Sequence, residues 1–90
     1  MITLTGLLIC ANAEEAALVR DHLPEHRRLT QDEIGCLAFS VQPTEDPLIW
    51  QVDEVFTDKA AFAAHQARTR GSDWFKATGH IRRDYQITGL

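Results

Sequence analysis

The sequence has few of the features that mark membrane, secreted or nucleic-acid-binding proteins. Its longest strongly apolar run, Leu7 to Ala11, is too short to span a bilayer or to form the core of a signal peptide. The two cysteines, Cys10 and Cys36, fit no metal-binding spacing and are typical of reduced, buried thiols. The nine basic residues are scattered among thirteen acidic ones, so no surface for a phosphate backbone is indicated. We therefore expect a soluble cytoplasmic protein without a membrane or nucleic-acid partner.

The chain is also short, and it has no repeat, linker or low-complexity stretch. Its 90 residues predict a single domain spanning 1–90. Folding a domain of this size buries only roughly two-thirds of the surface of the unfolded chain, so a monomer would be marginally stable. A second subunit is therefore expected.

The first third of the sequence predicts a strand followed by a helix. Residues Ile2 to Cys10 are rich in threonine, isoleucine and leucine, which favours a buried strand. Asn12 and Glu15 form a variant of the capping box. Pro24 is expected to kink the helix or to restart it. The apolar residues that recur at helical spacing are Ala16, Val19 and Leu23.

The middle of the chain predicts a β-hairpin. Between Gly35 and Gln42 the sequence alternates, with Leu37, Phe39 and Val41 on one face. The segment 43–47 holds two prolines and is interpreted as the turn. The next strand, Ile49 to Phe56, has an almost entirely apolar face that consists of Trp50, Val52, Glu54 and Phe56.

The last third predicts two helices and a final strand. The pair Thr57-Asp58 can cap a helix that Gly71 ends. Residues Asp73 to Thr78 suit a short extra helix, and His80 to Thr88 suit a strand with Ile81, Tyr85 and Ile87 on one face.

The resulting order is β-α-β-β-α-β, which predicts an α+β, ferredoxin-like domain with an antiparallel four-stranded sheet. Both helices should cover one face of this sheet. The other face is too apolar to remain in water, and we expect it to pair with a second sheet in a homodimer. Its predicted residues are Cys36, Ala38, Ser40, Ile49, Gln51, Asp53 and Val55.

Two segments of the chain resemble the antibiotic biosynthesis monooxygenase family of dimeric α/β-barrel proteins. The segment Glu54-Val55-Phe56-Thr57-Asp58, followed by Ala60, Phe62 and His65, is similar to the family's strand-end glutamate, helix cap and helix histidine. The opening Gly35-Cys36-Leu37-Ala38-Phe39 of the second strand is also similar. The resemblance implies a homodimer whose two sheets form a barrel, with a cavity in each subunit between sheet and helices.

The resemblance also implies a range of activities. Family members oxidise quinols or anthrone-like polyphenols with O2 and no cofactor, whereas others degrade haem, convert small signalling molecules or have no known activity. The segment Ser72 to Ala77 looks like the helix of the haem-degrading members. However, their axial histidine would fall on Gly79, with His80 one residue late, and the first strand lacks their asparagine. The sequence thus departs from the haem-degrading pattern.

The proposed chemistry depends on His65 and Glu54. Cofactor-free oxidation needs a base for an acidic proton and an apolar pocket for an electron-rich ring. The pKa of histidine suits the base, and Glu54 could orient His65 or hold it charged. A buried histidine that only satisfies a core carboxylate is an alternative interpretation of the same pair. The candidate substrate-binding residues, which are equally typical of a plain core, are Trp50, Phe56, Phe62, Trp74 and Tyr85.

Two further groups of polar residues carry weaker expectations. His22 and His26 have the i, i+4 spacing of metal ligands, but Pro24 lies between them and no third ligand is evident. We therefore expect a solvated surface there and no metal site. Arg82-Arg83-Asp84 is expected to form ion pairs at a sheet edge or dimer interface. The remaining alternatives for the whole chain are a non-enzymatic homodimer that binds a small ligand or only packs its core, and an isomerase-like relative.

Overall fold

The computed structural model describes all 90 residues, Met1–Leu90. The elements follow the predicted ferredoxin-like order, with one short extra helix, and the four strands form one antiparallel sheet in the order β2-β3-β1-β4. The predicted fold class is confirmed. The elements are β1 (Ile2–Ile9), α1 (Ala13–Gln31), β2 (Cys36–Pro43), β3 (Ile49–Phe56), α2 (Lys59–Arg70), α3 (Asp73–Thr78) and β4 (Arg82–Thr88).

Helix α1 continues through Pro24 without a break. Asn12 caps it by accepting a hydrogen bond from the Glu15 amide at 2.9 Å, which satisfies one of the free N–H groups of the first turn. Because the helix is continuous, its buried stripe extends further than the three apolar residues predicted. The full stripe is Ala16, Val19, Leu23, His26 and Thr30.

A β-bulge at the start of β2 changes which side chains face the core. Cys36 pairs with Phe56 whereas Ala38 pairs with the adjacent Val55, so one extra residue is inserted. Phe39 and Val41 pack toward the core, but Leu37 is 56% exposed. The predicted placement of Leu37 with Phe39, and of Cys36 on the outer face, is therefore wrong. Strict alternation does not hold across a bulge.

The core lies between the sheet and the helices. Side chains of β1 and β3 that alternate along the strands meet the stripe of α1, and Cys10 is buried at the end of β1, as expected of a core thiol. None of the three helices combines the length and the apolar character that crossing a membrane requires. The buried hydrophobic side chains are Ile2, Leu4, Leu8, Cys10, Ala16, Val19, Leu23, Val41, Val52, Phe56, Phe62, Trp74 and Ile81.

Arg83 does not form the ion pair expected for the Arg82-Arg83-Asp84 segment. Its guanidinium donates hydrogen bonds to the carbonyl oxygens of Thr78 and Ile81, at 2.7 and 3.0 Å. Arg83 thus ties the end of α3 to the start of β4, because the carbonyl groups there need a donor.

Candidate active site

His65 is buried on the face of α2 that packs against β3. Asp58 begins this helix by accepting a hydrogen bond from the Ala61 amide at 2.8 Å. The phase set by this cap places Phe62 and His65, one turn apart, as the two buried side chains of α2. Only 3% of His65 is exposed.

The closest polar partner of His65 is Glu33, which the sequence analysis did not single out. The Nδ1 atom of His65 lies 2.7 Å from Oε1 of Glu33. Arg68 donates from Nε to the other carboxylate oxygen of Glu33 at 2.8 Å and from Nη2 to the Thr30 hydroxyl at 2.8 Å. These bonds connect the end of α1 to α2 and fix the orientation of the imidazole ring.

Gly35 explains why Glu33 can reach helix α2. Gly35 has a φ of +94°, and a Cβ atom added there would lie 2.6 Å from the Cβ atom of Ala61 and 2.8 Å from Oγ1 of Thr57. Its carbonyl group accepts a hydrogen bond from the Thr57 amide at 2.8 Å. The absence of a side chain therefore allows the loop after α1 to approach the first turn of α2.

Glu54 faces His65 from near the end of β3. Its Oε1 atom lies 3.5 Å from Nε2 of His65, a distance at the long limit of hydrogen bonding, and has no hydrogen-bond partner. Burial, reinforced by the charge of Glu33, raises the pKa of Glu54 to about 7, although Arg83 opposes this shift. Asp53, the next residue along β3, is exposed on the other face of the sheet.

Burial shifts the pKa values of Glu54 and His65 in opposite directions. Burial lowers the pKa of His65 below its ordinary value, although its hydrogen bond to Glu33 opposes that effect. A neutral His65 donates from Nδ1–H to Glu33, because that carboxylate is its nearest acceptor, and keeps a lone pair on Nε2. Near pH 7, Glu54 is therefore about half protonated, and His65 carries less charge than an exposed histidine would.

The sequence-predicted aromatic residues fall into different positions around His65. The ring of Phe56 lies 4.8 Å from the ring of His65 and 5.6 Å from that of Phe62, measured between centroids. Tyr85 lies on β4, and burial raises its pKa to about 12. Trp50 is at the far end of β3, four residues from Glu54, or about 13 Å along the strand. The structure therefore brings Phe56 to His65, with Phe62 packed against Phe56, but does not bring Trp50 there.

Trp74 is separated from His65 by His26. The rings of His26 and Trp74 are stacked, with centroids 4.7 Å apart and planes at 4°, and the His26 ring is 6.0 Å from that of His65. Only 4% of His26 is exposed. The expectation of a solvated surface at His22 and His26 is therefore wrong for His26. Because Pro24 does not break α1, His26 continues the buried stripe.

The structure has one cleft, and it does not reach His65. This cleft has a volume of about 300 Å³ and lies between α1 and the α2–α3 junction. The stacked rings of His26 and Trp74 contribute to its wall. The rings next to His65 are those of His26 and Phe56, with centroids 6.0 and 4.8 Å away, and His65 does not line the cleft. A substrate could reach His65 from the cleft only if these rings moved.

The sequence analysis missed two residues near the site, His26 and Glu33, and the reason differs between them. His26 continues the spacing of Ala16, Val19 and Leu23, so the helical period alone would have placed it inside. Glu33 lies beyond the last residue of α1 and belongs to no periodic pattern. Its contact with His65 depends on how the loop folds back onto α2.

Comparison with a family of known proteins gives a match over most of the chain. The model of the family described as antibiotic biosynthesis monooxygenase matches residues 1–77. This range includes His65, Glu54 and Glu33, and it ends within α3. Among curated proteins, none is similar enough in sequence to count as a relative.

Solved structures resemble the whole chain in fold. A Deinococcus radiodurans protein whose name assigns it provisionally to the antibiotic biosynthesis monooxygenases has a TM-score of 0.83 and 23% identity, covering 100% of this chain and 92% of its own. SnoaB of Streptomyces nogalater, a cofactor-independent oxygenase, has a TM-score of 0.80 and 12% identity, covering 99% and 91%. A Bacteroides thetaiotaomicron protein of unknown function has a TM-score of 0.74 and 13% identity, covering 96% and 90%. At these identities the similarity concerns the fold.

Proposed function

The chain belongs to the antibiotic biosynthesis monooxygenase family, and on that premise we propose that it oxidises a small aromatic or quinol-type substrate with O2 and without a cofactor. The observation that supports this proposal most directly is the buried His65, whose Nδ1 atom lies 2.7 Å from Oε1 of Glu33. Such a histidine can accept a proton at Nε2 near neutral pH. SnoaB, which has the same fold, is a cofactor-independent oxygenase.

In this proposal the substrate itself supplies the electrons. Nε2 of His65 removes an acidic proton, for example from a methylene group of an anthrone-like ring, and the carbanion passes one electron to O2. The substrate radical and superoxide combine into a peroxide anion, which takes the proton back from His65. Loss of water then leaves a carbonyl group. The balance is one methylene group and one O2 giving one carbonyl group and one water.

The surrounding groups have separate roles in the proposal. Glu54 shares a proton with Nε2 of His65, since its pKa of about 7 is close to the working pH. Arg68 is a candidate donor to the substrate oxygen, because its Nη1 atom is buried and has no hydrogen-bond partner. Phe56, Phe62 and Trp74 are proposed to line the ring-binding space once a substrate enters, with Tyr85 and Trp50 further along the sheet.

The proposed active form is a homodimer. The face of the sheet opposite the helices carries half-buried apolar residues such as Leu7, Ile49 and Val55. No helix of the chain covers this face, since the side chains of α1, α2 and α3 pack on the other one. A second copy would remove the apolar face from water and form a barrel from the two sheets.

The filled interior favours a second candidate function. If Phe62 and Trp74 stay where they are, no substrate meets His65, and the chain serves as a homodimer that binds a ligand elsewhere or only packs its core. In that case Glu33 and His65 stabilise the contact between α1 and α2. The two candidate functions differ in whether His65 is needed for any turnover.

Oxygen consumption tests the proposal. Metal-free protein is incubated with hydroquinones, naphthoquinols and anthrones, and O2 uptake is compared with autoxidation of each compound alone. The wild type should exceed autoxidation for at least one class, and His65→Ala should lower that rate by about 10²- to 10⁴-fold, the usual contribution of a general base. Circular dichroism of the variant confirms that it is folded.

The matched control is His80→Ala. His80 is a histidine whose side chain is 58% exposed and that pairs with Glu15 at 3.3 Å, outside the proposed site. This variant should retain the wild-type rate. Equal rates for the wild type and His65→Ala with the whole panel would contradict the role of His65 and favour the non-enzymatic homodimer.

A further inference from the structure

The ring of His26 lies between the cleft of the structure and His65. The cleft has a volume of about 300 Å³, and both His26 and Trp74 line it. The His26 ring is stacked on the indole of Trp74 at 4.7 Å and lies 6.0 Å from the His65 ring, measured between centroids. A separation of 6.0 Å is that of rings in contact, so no other ring fits between the two imidazoles. The His26 ring alone therefore separates the cleft from the candidate base.

The other sides of His65 are closed by groups that do not reach the cleft. Glu33 occupies the Nδ1 side at 2.7 Å, and Glu54 faces Nε2 at 3.5 Å. The ring of Phe56, on the sheet, lies 4.8 Å from the ring of His65. Of these four neighbours of His65, only His26 also lines the cleft. The shortest connection between the cleft and His65 thus passes the His26 ring.

The closed position of His26 lacks one hydrogen bond. Only 4% of His26 is exposed, and its Nδ1 atom has no hydrogen-bond partner. A buried polar atom without a partner loses the hydrogen bond that it would make in water, and movement of the ring into solvent would restore that bond. The stack on Trp74 and an edge contact with Phe39, at 5.4 Å, oppose the movement. The closed and open positions therefore differ less in free energy than they would for an apolar ring.

We propose that His26 is the gate of the site: its ring swings away from Trp74 and opens a passage through which a flat aromatic substrate moves from the cleft to His65. The adjoining cleft gives the ring space into which it can move. A volume of about 300 Å³ is at the lower end of the range for small-molecule sites, which favours compounds of one or two rings. The proposal rests on the proposed oxidation for the identity of the compound that passes. The movement itself needs no turnover.

Chemical modification of His65 measures the opening without any oxidation. Diethyl pyrocarbonate is a small reagent that acylates the unprotonated nitrogen of imidazole, and above pH 7 most histidines have one. Wild-type protein is treated with this reagent, and mass spectrometry of its peptides gives the rate for each histidine. His80, whose side chain is 58% exposed, is the internal reference. His65 should react much more slowly than His80, because a closed gate excludes the reagent.

His26→Ala removes the gate, and Leu23→Ala is its matched control. Without the ring, the rate at His65 relative to His80 should rise about tenfold or more, since a minor open state is typically populated at 10% or less. Leu23 belongs to the same buried stripe of α1 and is 5% exposed, but it does not line the cleft. Leu23→Ala also creates a cavity under α1 and should leave the ratio unchanged.

His26→Phe tests the gate in the opposite direction. Phenylalanine keeps a ring beside Trp74 and removes the polar atom that has no partner, so the closed position loses its cost. The rate at His65 should then fall about fivefold or more below that of the wild type. Circular dichroism shows which variants are folded. If His26→Ala does not fold, His26→Phe decides, and a rate at His65 equal to or above that of the wild type would overturn the proposal.

Two results with the alanine variants would also overturn it. Equal rates at His65 in the wild type and in folded His26→Ala would mean that the route to His65 lies elsewhere. An equal increase in Leu23→Ala would indicate general loosening under α1 instead of a gate. Because these rates are measured without substrate, a lack of O2 uptake with every compound would count against the proposed oxidation and not against the gate.

Discussion

Glu33 and His65, 32 residues apart in the sequence, are joined by a 2.7 Å contact between Oε1 and Nδ1. This contact determines which nitrogen of His65 carries a proton. Because Nδ1–H donates to Glu33, Nε2 is left as the acceptor and faces Glu54 at 3.5 Å. In the proposed mechanism, the nitrogen through which His65 would act as a base is therefore determined by a loop residue, Glu33, and not by Glu54, the strand carboxylate that the sequence suggested.

The first prediction concerns Glu33→Gln. Glutamine can still accept the Nδ1–H bond, but the negative charge that raises the pKa of His65 is gone, so burial should lower that pKa further. An NMR titration of the His65 ring protons measures this change. Asp32→Asn, which removes a neighbouring carboxylate that instead lies 3.8 Å from Arg28, is the control. An unchanged or higher pKa in Glu33→Gln would show that Glu33 does not act on His65 as described.

The second prediction concerns Glu54→Gln and the pH dependence of stability. The pKa of Glu54 is about 7 in the folded protein and about 4.5 in the unfolded chain, so between these values the folded state keeps a proton that the unfolded state releases. The free energy of unfolding of the wild type should therefore fall as pH rises, by at most about 1.4 kcal/mol per unit from this group. Because glutamine cannot ionise, Glu54→Gln should remove this decrease in the free energy of unfolding.

Urea unfolding at pH 5 and pH 8 measures this effect. The free energy of unfolding of Glu54→Gln, relative to that of the wild type, should be higher at pH 8 than at pH 5 by about 2–3 kcal/mol. Glu45→Gln, at an exposed position, should show the same difference as the wild type between the two pH values. If the difference in free energy of unfolding between Glu54→Gln and the wild type does not grow with pH, Glu54 is ionised in the folded protein.

The sequence was sufficient to predict the fold because local signals and hydrophobic period agree along most of the chain. Asp58 and Asn12 cap helices where predicted, and the Pro-rich turn joins β2 to β3. The error at Leu37 has a local cause. A bulge inserts one residue without changing the alternating appearance of the sequence, so only the pairing of Cys36 and Ala38 with β3 reveals it.

The candidate site was only partly predictable, for a different reason. Glu54 and His65 lie on elements whose phase can be read from period and caps, so their meeting was foreseeable. Glu33 is on a loop, and its position depends on the close approach that Gly35 allows. Whether Trp74 opens a pocket or fills it depends on packing with His26, and no periodic pattern determines the distance between two rings.

The third prediction concerns His26→Phe and acid stability. The pKa of His26 is about 3 in the folded protein, chiefly because of burial, with Arg68, His65 and Arg83 acting in the same direction. Between pH 6.5 and 3 the unfolded chain binds a proton that the folded protein excludes, so stability falls as pH falls. Phenylalanine keeps a ring beside Trp74 and Phe39 and removes this loss.

Acid unfolding followed by circular dichroism measures the effect. The unfolding midpoint of His26→Phe should lie at lower pH than that of the wild type. As pH falls through this range, the free energy of unfolding of the variant should decrease by up to about 1.4 kcal/mol less per pH unit. His80→Ala should keep the wild-type midpoint, because His80 is exposed. If the midpoints of His26→Phe and His80→Ala shift equally, burial of His26 is not the cause of the acid sensitivity.

The fourth prediction concerns Val55, on the face of the sheet that no helix covers. Val55 is half-buried between Thr3 on β1 and Ala38 on β2, and its side chain is not part of the core. In the proposed homodimer this face is covered by a second copy, and a stable interface of this kind buries about 1,200–2,000 Å². Val55→Lys would place a charge without a partner in that interface and should convert the dimer into a folded monomer.

Light scattering coupled to size-exclusion chromatography, at micromolar protein, measures the mass of each variant. The control is Val55→Thr, which keeps the branched shape and adds no charge, and it should remain a dimer. A monomeric wild type would contradict the homodimer, whereas a dimeric Val55→Lys would place the interface elsewhere on the chain. Because Val55 lies outside the core, circular dichroism should show the same helix and strand content in both variants, so a change in mass reports on association and not on unfolding.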